Sequence, residues 1–191
     1  VNSLDNTAGD TTITNGTIET TTNIDAGTIN QSGGTLTGAG TVNGGELTTT
    51  GAALITGDTP VSAGGTLDVN NGDIAAVEND GGTVEIGGGS VDSLDNTAGT
   101  TTITNGTIET TTNIDAGAIN QSGGTMTGAV TVNGGELTTS GAAIISGATT
   151  VSAGGTLDVN NGTIADVENT GGIVEIGGGN VNSLDNTLGT T

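Results

Sequence analysis

Short alternations of aliphatic and polar residues recur along the whole chain. In the segments Thr66-Leu67-Asp68-Val69 and Thr83-Val84-Glu85-Ile86 every second residue is aliphatic, and glycine or asparagine flanks each segment. A period of two residues is typical of a β-strand with one buried face. Glycine and asparagine suit tight corners and are poor helix formers. We therefore predict short strands, no helix, and corners at glycine runs such as Gly87-Gly88-Gly89.

The strand pattern is repeated over a longer interval. VNSLDNTAG at Val1 returns as VDSLDNTAG at Val91 and begins again at Val181. The chain thus divides into copy 1 (1–90), copy 2 (91–180) and the start of copy 3 (181–191), and copies 1 and 2 differ at 15 positions. Apolar differences conserve volume, whereas the differences that exchange charge are expected to face solvent. The acidic residues at these positions include Asp10, Asp58, Asp73, Asp80 and Asp166.

Each copy divides further into five units of 17 to 20 residues. The units open at aliphatic residues that follow small polar ones, namely Val1, Ile18, Leu36, Leu54 and Ile74. Three aliphatic positions about six residues apart indicate three strands per unit. We predict that these aliphatic side chains line the inside of the coil, with Ile18, Leu36 and Leu54 among them. We therefore predict an all-β fold, a three-sided parallel β-solenoid (β-helix) without linkers, with about 18 residues per coil and five coils per copy. At about 4.8 Å per coil, one copy is about 24 Å long.

The direction of coiling has two interpretations. Eighteen residues equal three hexapeptides, which is the coil of left-handed β-helices, and Ile18, Ile24 and Leu36 lie at multiples of six. The irregular unit lengths and the one-residue slip to Ile29 and Leu47 favour a right-handed coil instead.

The composition excludes several classes of function. The chain has 191 residues, a formal net charge of −21, and no Lys, Arg, His, Cys, Trp, Tyr or Phe. Without cations it can form no side-chain salt bridge, and it has no group to attract nucleic acid or an anionic membrane surface. No apolar run is long enough to insert into a membrane. Diffuse association with divalent cations is expected from the charge.

The segments GGTLDVNNG, GGTVEIGGG and GGTLTGAGTVNGGELTTTG resemble the repeats of bacterial filamentous-haemagglutinin-type exoproteins and autotransporter passenger domains. The resemblance implies a right-handed β-helix that is extracellular or displayed on the bacterial cell surface, and that serves adhesion, biofilm cohesion or scaffolding. The strict 90-residue duplication and the lack of Lys, Arg and aromatic residues depart from these families. These departures favour a fibre or sheath over a receptor-binding adhesin.

From these patterns we predict a structural extracellular repeat protein that forms a fibre, stalk or sheath and self-associates into filaments or bundles. Carboxylates are its only ionisable side chains, so an enzyme would need paired acids such as Asp68 with Glu85, or Asp158 with Glu175, one coil apart. Aromatic platforms for a sugar and cations for an oxyanion are lacking. We therefore predict no catalytic residue and no cofactor-binding residue.

Two alternatives remain open. A calcium-dependent adhesin stalk would use the oxygen-rich segment that follows Asp68, with Asp68, Asp73 and Asp158 as the calcium candidates. Asp73 becomes Thr163 in copy 2, so this site does not recur. An ice-binding solenoid would need flat outward threonine rows, for which Thr20–Thr22 and Thr48–Thr50 would have to stack over one another.

Overall fold

A computed structural model describes residues 1–191, and its regular structure consists entirely of β-strands. The strands of copy 1 are β1 (Ser3–Asn6), β2 (Asp10–Ile13), β3 (Thr17–Ile18), β4 (Thr21–Ile24), β5 (Thr28–Gln31), β6 (Thr35–Leu36), β7 (Ala39–Val42), β8 (Glu46–Thr49), β9 (Leu54–Ser62), β10 (Thr66–Val69) and β11 (Asp73–Ile86). Strand β12 (Ser90–Ile103) joins the copies. The remaining strands are β13 (Thr107–Ile114), β14 (Ala118–Gln121), β15 (Thr125–Met126), β16 (Ala129–Val132), β17 (Glu136–Thr139), β18 (Ile144–Val151), β19 (Thr156–Val159), β20 (Thr163–Asn169), β21 (Ile173–Ile176) and β22 (Asn180–Asn186).

All 22 strands belong to one sheet and pair in parallel with the coils below and above. The sheet winds around three faces. Face 1 begins at β1 and continues through β4 and β7, face 2 begins at β2 and continues through β5 and β8, and face 3 begins at β3 and continues through β6. Longer strands such as β11 and β12 turn two corners and contribute to all three faces. The predicted three-sided parallel β-solenoid is confirmed, and the right-handed coil stays a prediction.

The coil length follows from the inward column of face 3. Successive members of this column are 17 to 19 residues apart. They are Ile18, Leu36, Ile55, Ile74, Val91, Ile108, Met126, Ile145, Ile164 and Val181. Five coils therefore make one copy, and the structure has about ten coils.

The core is a set of stacked aliphatic columns, one or two per face. On face 2, for example, Ile29, Leu47, Leu67 and Val84 lie above one another and are fully buried. Burial of each such side chain stabilises the fold by about 1.5 to 3 kcal/mol. Stacking of small aliphatic residues thus supplies the core that aromatic residues would otherwise provide.

Glycine makes the corners possible. Every residue with positive φ is glycine, and the predicted corner at Gly87–Gly89 is confirmed by a φ of 72° at Gly89. At Gly72, with φ of 100°, a Cβ atom would also lie 2.5 Å from the carbonyl oxygen of Ala53 in the coil below. Corners therefore stack closely enough that only glycine fits at these points.

The structure corrects one of the predicted core positions. We expected Leu54 to open a unit from the interior, but Leu54 is 37% exposed and Ile55 is fully buried. Ile55 lies in register between Leu36 and Ile74, which fixes the inward phase of this strand. The four consecutive apolar residues Ala52–Ile55 hide the alternation, so the sequence pattern was one residue out of phase.

The charge-exchanging positions lie where we expected them. Asp10, Asp58, Asp73, Asp80 and Asp166 are all exposed. The two copies consequently differ in their surface charge at these positions.

Candidate functional site: carboxylate columns and threonine rows

The outward faces carry pairs of carboxylates stacked one coil apart. Asp68 lies directly below Glu85 on face 2, and Asp158 lies below Glu175 in the same way. This confirms that both predicted pairs share a strand face. Face 1 adds two further pairs, Glu78 with Asp95 and Glu168 with Asp185. Like charges directly opposite in a sheet destabilise it, so these columns are points of repulsion at neutral pH.

The calcium candidates do not converge on one site. Asp68 is on face 2 and Asp73 is on face 3, on either side of the Asn70–Gly72 corner. The Asn70 Nδ2 atom donates to Asp68 Oδ2 at 2.7 Å, and the Gly72 N–H donates to Asn71 Oδ1 at 2.9 Å. Several oxygens of the predicted segment therefore already accept internal hydrogen bonds.

The same hydrogen bond to an aspartate forms at Asp158, the calcium candidate of copy 2. Asp158 Oδ2 accepts a hydrogen bond from Asn160 Nδ2 at 2.8 Å. No group of three or more acidic side chains in the structure is placed to hold a metal ion.

Asp95 is the carboxylate with the most unusual surroundings. Its Oδ1 atom is buried and has no hydrogen-bond partner. Burial, and secondarily the negative charge of Asp115, raise the pKa of Asp95 above its ordinary value. Glu78 lies below Asp95 and Asn113 lies above it. The recurrence of SLDN at 3–6, 93–96 and 183–186 was the only sequence signal for this residue.

The predicted stack of threonine rows is wrong. Thr21 lies on face 1 below Ala39, whereas Thr48 lies on face 2 between Asn30 and Asp68. Thr22 and Thr49 point into the core and are buried. The spacing of threonines along the sequence does not show on which face each one falls, because that depends on the corner between them.

Outward threonines at the corner between face 3 and face 1 bind the main chain of the coil below. The Oγ1 atoms of Thr20 and Thr37 donate to the carbonyl oxygens of Asn2 at 2.8 Å and Glu19 at 2.7 Å. Thr110 and Thr127 repeat these bonds in copy 2. The hydroxyl groups thus link consecutive coils at a corner, which is a structural role.

An internal polar layer lies where the copies meet. Asn79 and Asn96 are fully buried on face 1, in adjacent coils of copies 1 and 2. The Thr101 Oγ1 atom donates to Asn96 Oδ1 at 3.0 Å, and Asn96 Nδ2 donates to the Ala116 carbonyl oxygen at 2.9 Å. Asn79 and Asn96 each lie two residues after an inward aliphatic residue, Val77 and Leu94. Because every second residue of a strand faces inward, this spacing is the sequence signal that could have identified the layer.

Comparisons with known proteins do not assign the chain to a family. No family model, no curated protein and no solved structure matches it. The structure has no helix with the length and apolarity of a membrane span.

Proposed function

We propose that the chain is part of an extracellular structural repeat protein whose tandem copies form one rod, used as a fibre, stalk or sheath at a bacterial cell surface. The observation that carries the proposal is the strand ladder across the copy junction. Strand β11 pairs with β12 from Asp73↔Ser90 to Ile86↔Ile103, with small register shifts near Asn79 and Thr83. Because the sheet passes from copy 1 into copy 2, each added copy lengthens the same rod.

The charge of the chain supports a role in a hydrated extracellular matrix. With a formal net charge of −21 and no cationic side chain, neighbouring rods repel one another unless counterions screen them. We propose that association into filaments or bundles depends on divalent cations that lie diffusely along the carboxylate columns. The resemblance to exoprotein repeats agrees with this location and with a role in adhesion or scaffolding.

A cation-dependent stalk is the second candidate. It is favoured by the four stacked carboxylate pairs, whose repulsion a divalent cation would relieve, and by the buried, unpaired Oδ1 atom of Asp95. Hard cations bind several oxygen ligands, which such columns provide. This candidate differs from the fibre proposal only in making cation binding necessary for stiffness.

The proposal gives the protein no catalytic role. The Asp68–Glu85 and Asp158–Glu175 pairs lie on strand faces whose flanking residues in register are Thr48, Thr102 and Thr138. Neither pair has a cationic or aromatic neighbour, because the sequence contains none. Such a surface has no group to stabilise an oxyanion or to stack on a sugar.

The test compares proteins that carry two and four 90-residue copies. Small-angle X-ray scattering is expected to show the same cross-section for both, with the longest dimension rising by about 24 Å per added copy. A constant length with a growing cross-section, or a flexible string of separate bodies, would contradict the proposal. Antibody labelling of intact cells that make the protein tests its surface location.

A further inference from the structure

Asn-Gly dipeptides occur three times in each copy, always at a corner. They begin at Asn15, Asn43, Asn71, Asn105, Asn133 and Asn161. Asparagine followed by glycine is the most reactive context for loss of the side-chain amide, because glycine leaves its own N–H unhindered. Asn71 and Asn161 are equivalent positions in the two copies, and so are Asn43 and Asn133. The hydrogen bonds around the Asn-Gly dipeptide differ between these two pairs.

At Asn71 and Asn161 the glycine nitrogen lies against the asparagine side chain. The Gly72 N–H donates to Asn71 Oδ1 at 2.9 Å, and the Gly162 N–H donates to Asn161 Oδ1 at 2.8 Å. Neither glycine N–H donates to the coil below. The two asparagines are exposed to solvent, so water can reach them. The attacking nitrogen and the amide carbonyl of the asparagine are therefore held together at an open corner.

At Asn43 and Asn133 both reacting groups are held elsewhere. The Asn43 Nδ2 atom donates to Asp25 Oδ1 at 2.8 Å, and the Gly44 N–H donates to the Ile24 carbonyl oxygen at 3.3 Å. Copy 2 repeats both bonds with Asn133, Asp115 and Gly134. The glycine nitrogen is thus hydrogen-bonded to the main chain of the coil below, and the asparagine side-chain amide is hydrogen-bonded to an aspartate carboxylate.

We propose that Asn71 and Asn161 are sites of spontaneous deamidation that the folded corner promotes. The backbone nitrogen of the following glycine attacks the asparagine Cγ atom, a new bond forms between them, and the Cγ–Nδ2 bond breaks. The glycine N–H proton leaves with the amide group as ammonia, and the product is a five-membered succinimide. Water then opens the ring at either carbonyl, which gives aspartate or isoaspartate. No oxidation or reduction occurs.

Contact between the reacting groups favours this reaction, because groups that are already together avoid the entropic cost of bringing them together.

The reaction would alter the solenoid at a stacked corner. Each event adds a carboxylate to a protein without cationic side chains. Isoaspartate also adds a methylene group to the main chain, and the Asn71 main chain lies directly beneath Gly89 of the next coil. We therefore expect the modified corner to stack less well, so that an old rod is more acidic and looser at these points.

The experiment measures the conversion of the folded protein at mildly alkaline pH by mass spectrometry. A protease that cuts after glutamate places the four asparagines on separate peptides, 20–46, 47–78, 110–136 and 137–168. In the folded protein we expect Asn71 and Asn161 to convert about tenfold faster than Asn43 and Asn133, since contact of the reacting groups accelerates ring closure. In denaturant the four rates are expected to converge.

An Asn161→Gln variant supplies the control. Its longer side chain disfavours the five-membered ring, so conversion on peptide 137–168 should fall to background while Asn71 reacts as before. Equal rates at all four sites of the folded protein would overturn the proposal, and so would faster conversion at Asn43 and Asn133.

Discussion

Asn79 and Asn96 lie in the same inward column of adjacent coils, and Asn79 Nδ2 donates to Asn96 Oδ1 at 3.0 Å inside the core. Each copy supplies one member of the pair, so the bond forms only where two copies meet. The other buried polar residues are threonine and glutamine, and every buried asparagine occupies one of these two repeat positions, so buried asparagine marks the junction. A buried polar pair of this kind costs stability when only one partner remains.

We expect Asn96→Ala to destabilise the rod by about 2 to 4 kcal/mol, because it removes the buried acceptor of the Thr101 O–H and the side-chain donor to the Ala116 carbonyl oxygen. Circular dichroism during denaturant unfolding measures the change. Asn120→Ala is the control, since Asn120 lies on an outward strand position within copy 2 and is exposed. A loss of stability equal to that of the control would show that the layer has no energetic role.

At one core position copy 1 has glycine, Gly40, where copy 2 has an aliphatic residue. Gly40 corresponds to Val130, which is 1% exposed in the core. A Cβ atom at Gly40 would meet its nearest neighbour, Thr59 Oγ1, at 3.7 Å, an ordinary contact. Gly40→Val is therefore expected to stabilise the protein by about 1 to 2 kcal/mol through added burial and a less flexible unfolded state.

Gly38→Ala is the control for that substitution, two residues earlier on the same turn of the coil. A Cβ atom there would overlap the carbonyl group of Thr20. It should destabilise the protein and lower the melting temperature. If Gly40→Val also lowered the melting temperature, the packing described around Gly40 would be wrong.

Asp95 should make stability depend on pH. Its pKa in the folded protein is raised above the ordinary 3.8, so folding favours its protonated form. The stability that it contributes is fully present below pH 3.8 and is lost as the pH rises through the raised pKa. Asp95→Asn should therefore raise the melting temperature at pH 7 and have a smaller effect at pH 3.

The measurement is a thermal melt across this pH range. Asp92→Asn serves as the control, because Asp92 lies on the same strand as Asp95 and is exposed. An Asp95→Asn variant that follows the pH profile of the unmodified protein would refute the role of Asp95.

The stacked carboxylates should make stability sensitive to divalent cations. Calcium at millimolar concentration is expected to raise the melting temperature relative to chelator at equal ionic strength, because a divalent cation close to two stacked carboxylates offsets their repulsion more strongly than a monovalent cation does. Glu85→Gln removes one charge from the Asp68–Glu85 pair and should reduce the calcium effect. Glu46→Gln, at a position between Thr28 and Thr66, should leave it unchanged. A calcium effect equal in both variants would mean that stacking of charges is unimportant.

Much of the fold could be predicted from local pattern. The alternation at Thr66–Val69 and Thr83–Ile86 is confirmed as strand, and these two segments pair in register as the repeat length requires. The Asp68–Glu85 and Asp158–Glu175 pairs followed from the same coil length. Which of Leu54 and Ile55 faces inward could not be predicted, because four adjacent apolar residues fit either alternation equally well.

The sequence by itself determined that this protein is a β-solenoid, because period-two alternation, glycine corners and near-identical copies are local features that only stacked strands satisfy together. Tertiary structure alone decided which face each residue occupies. The threonine clusters fell on different faces, Asn79 met Asn96 in the core, and Asp95 came near Asp115 from the next coil. Such neighbours lie about 17 to 20 residues apart and depend on the corners between them, so no local pattern specifies them.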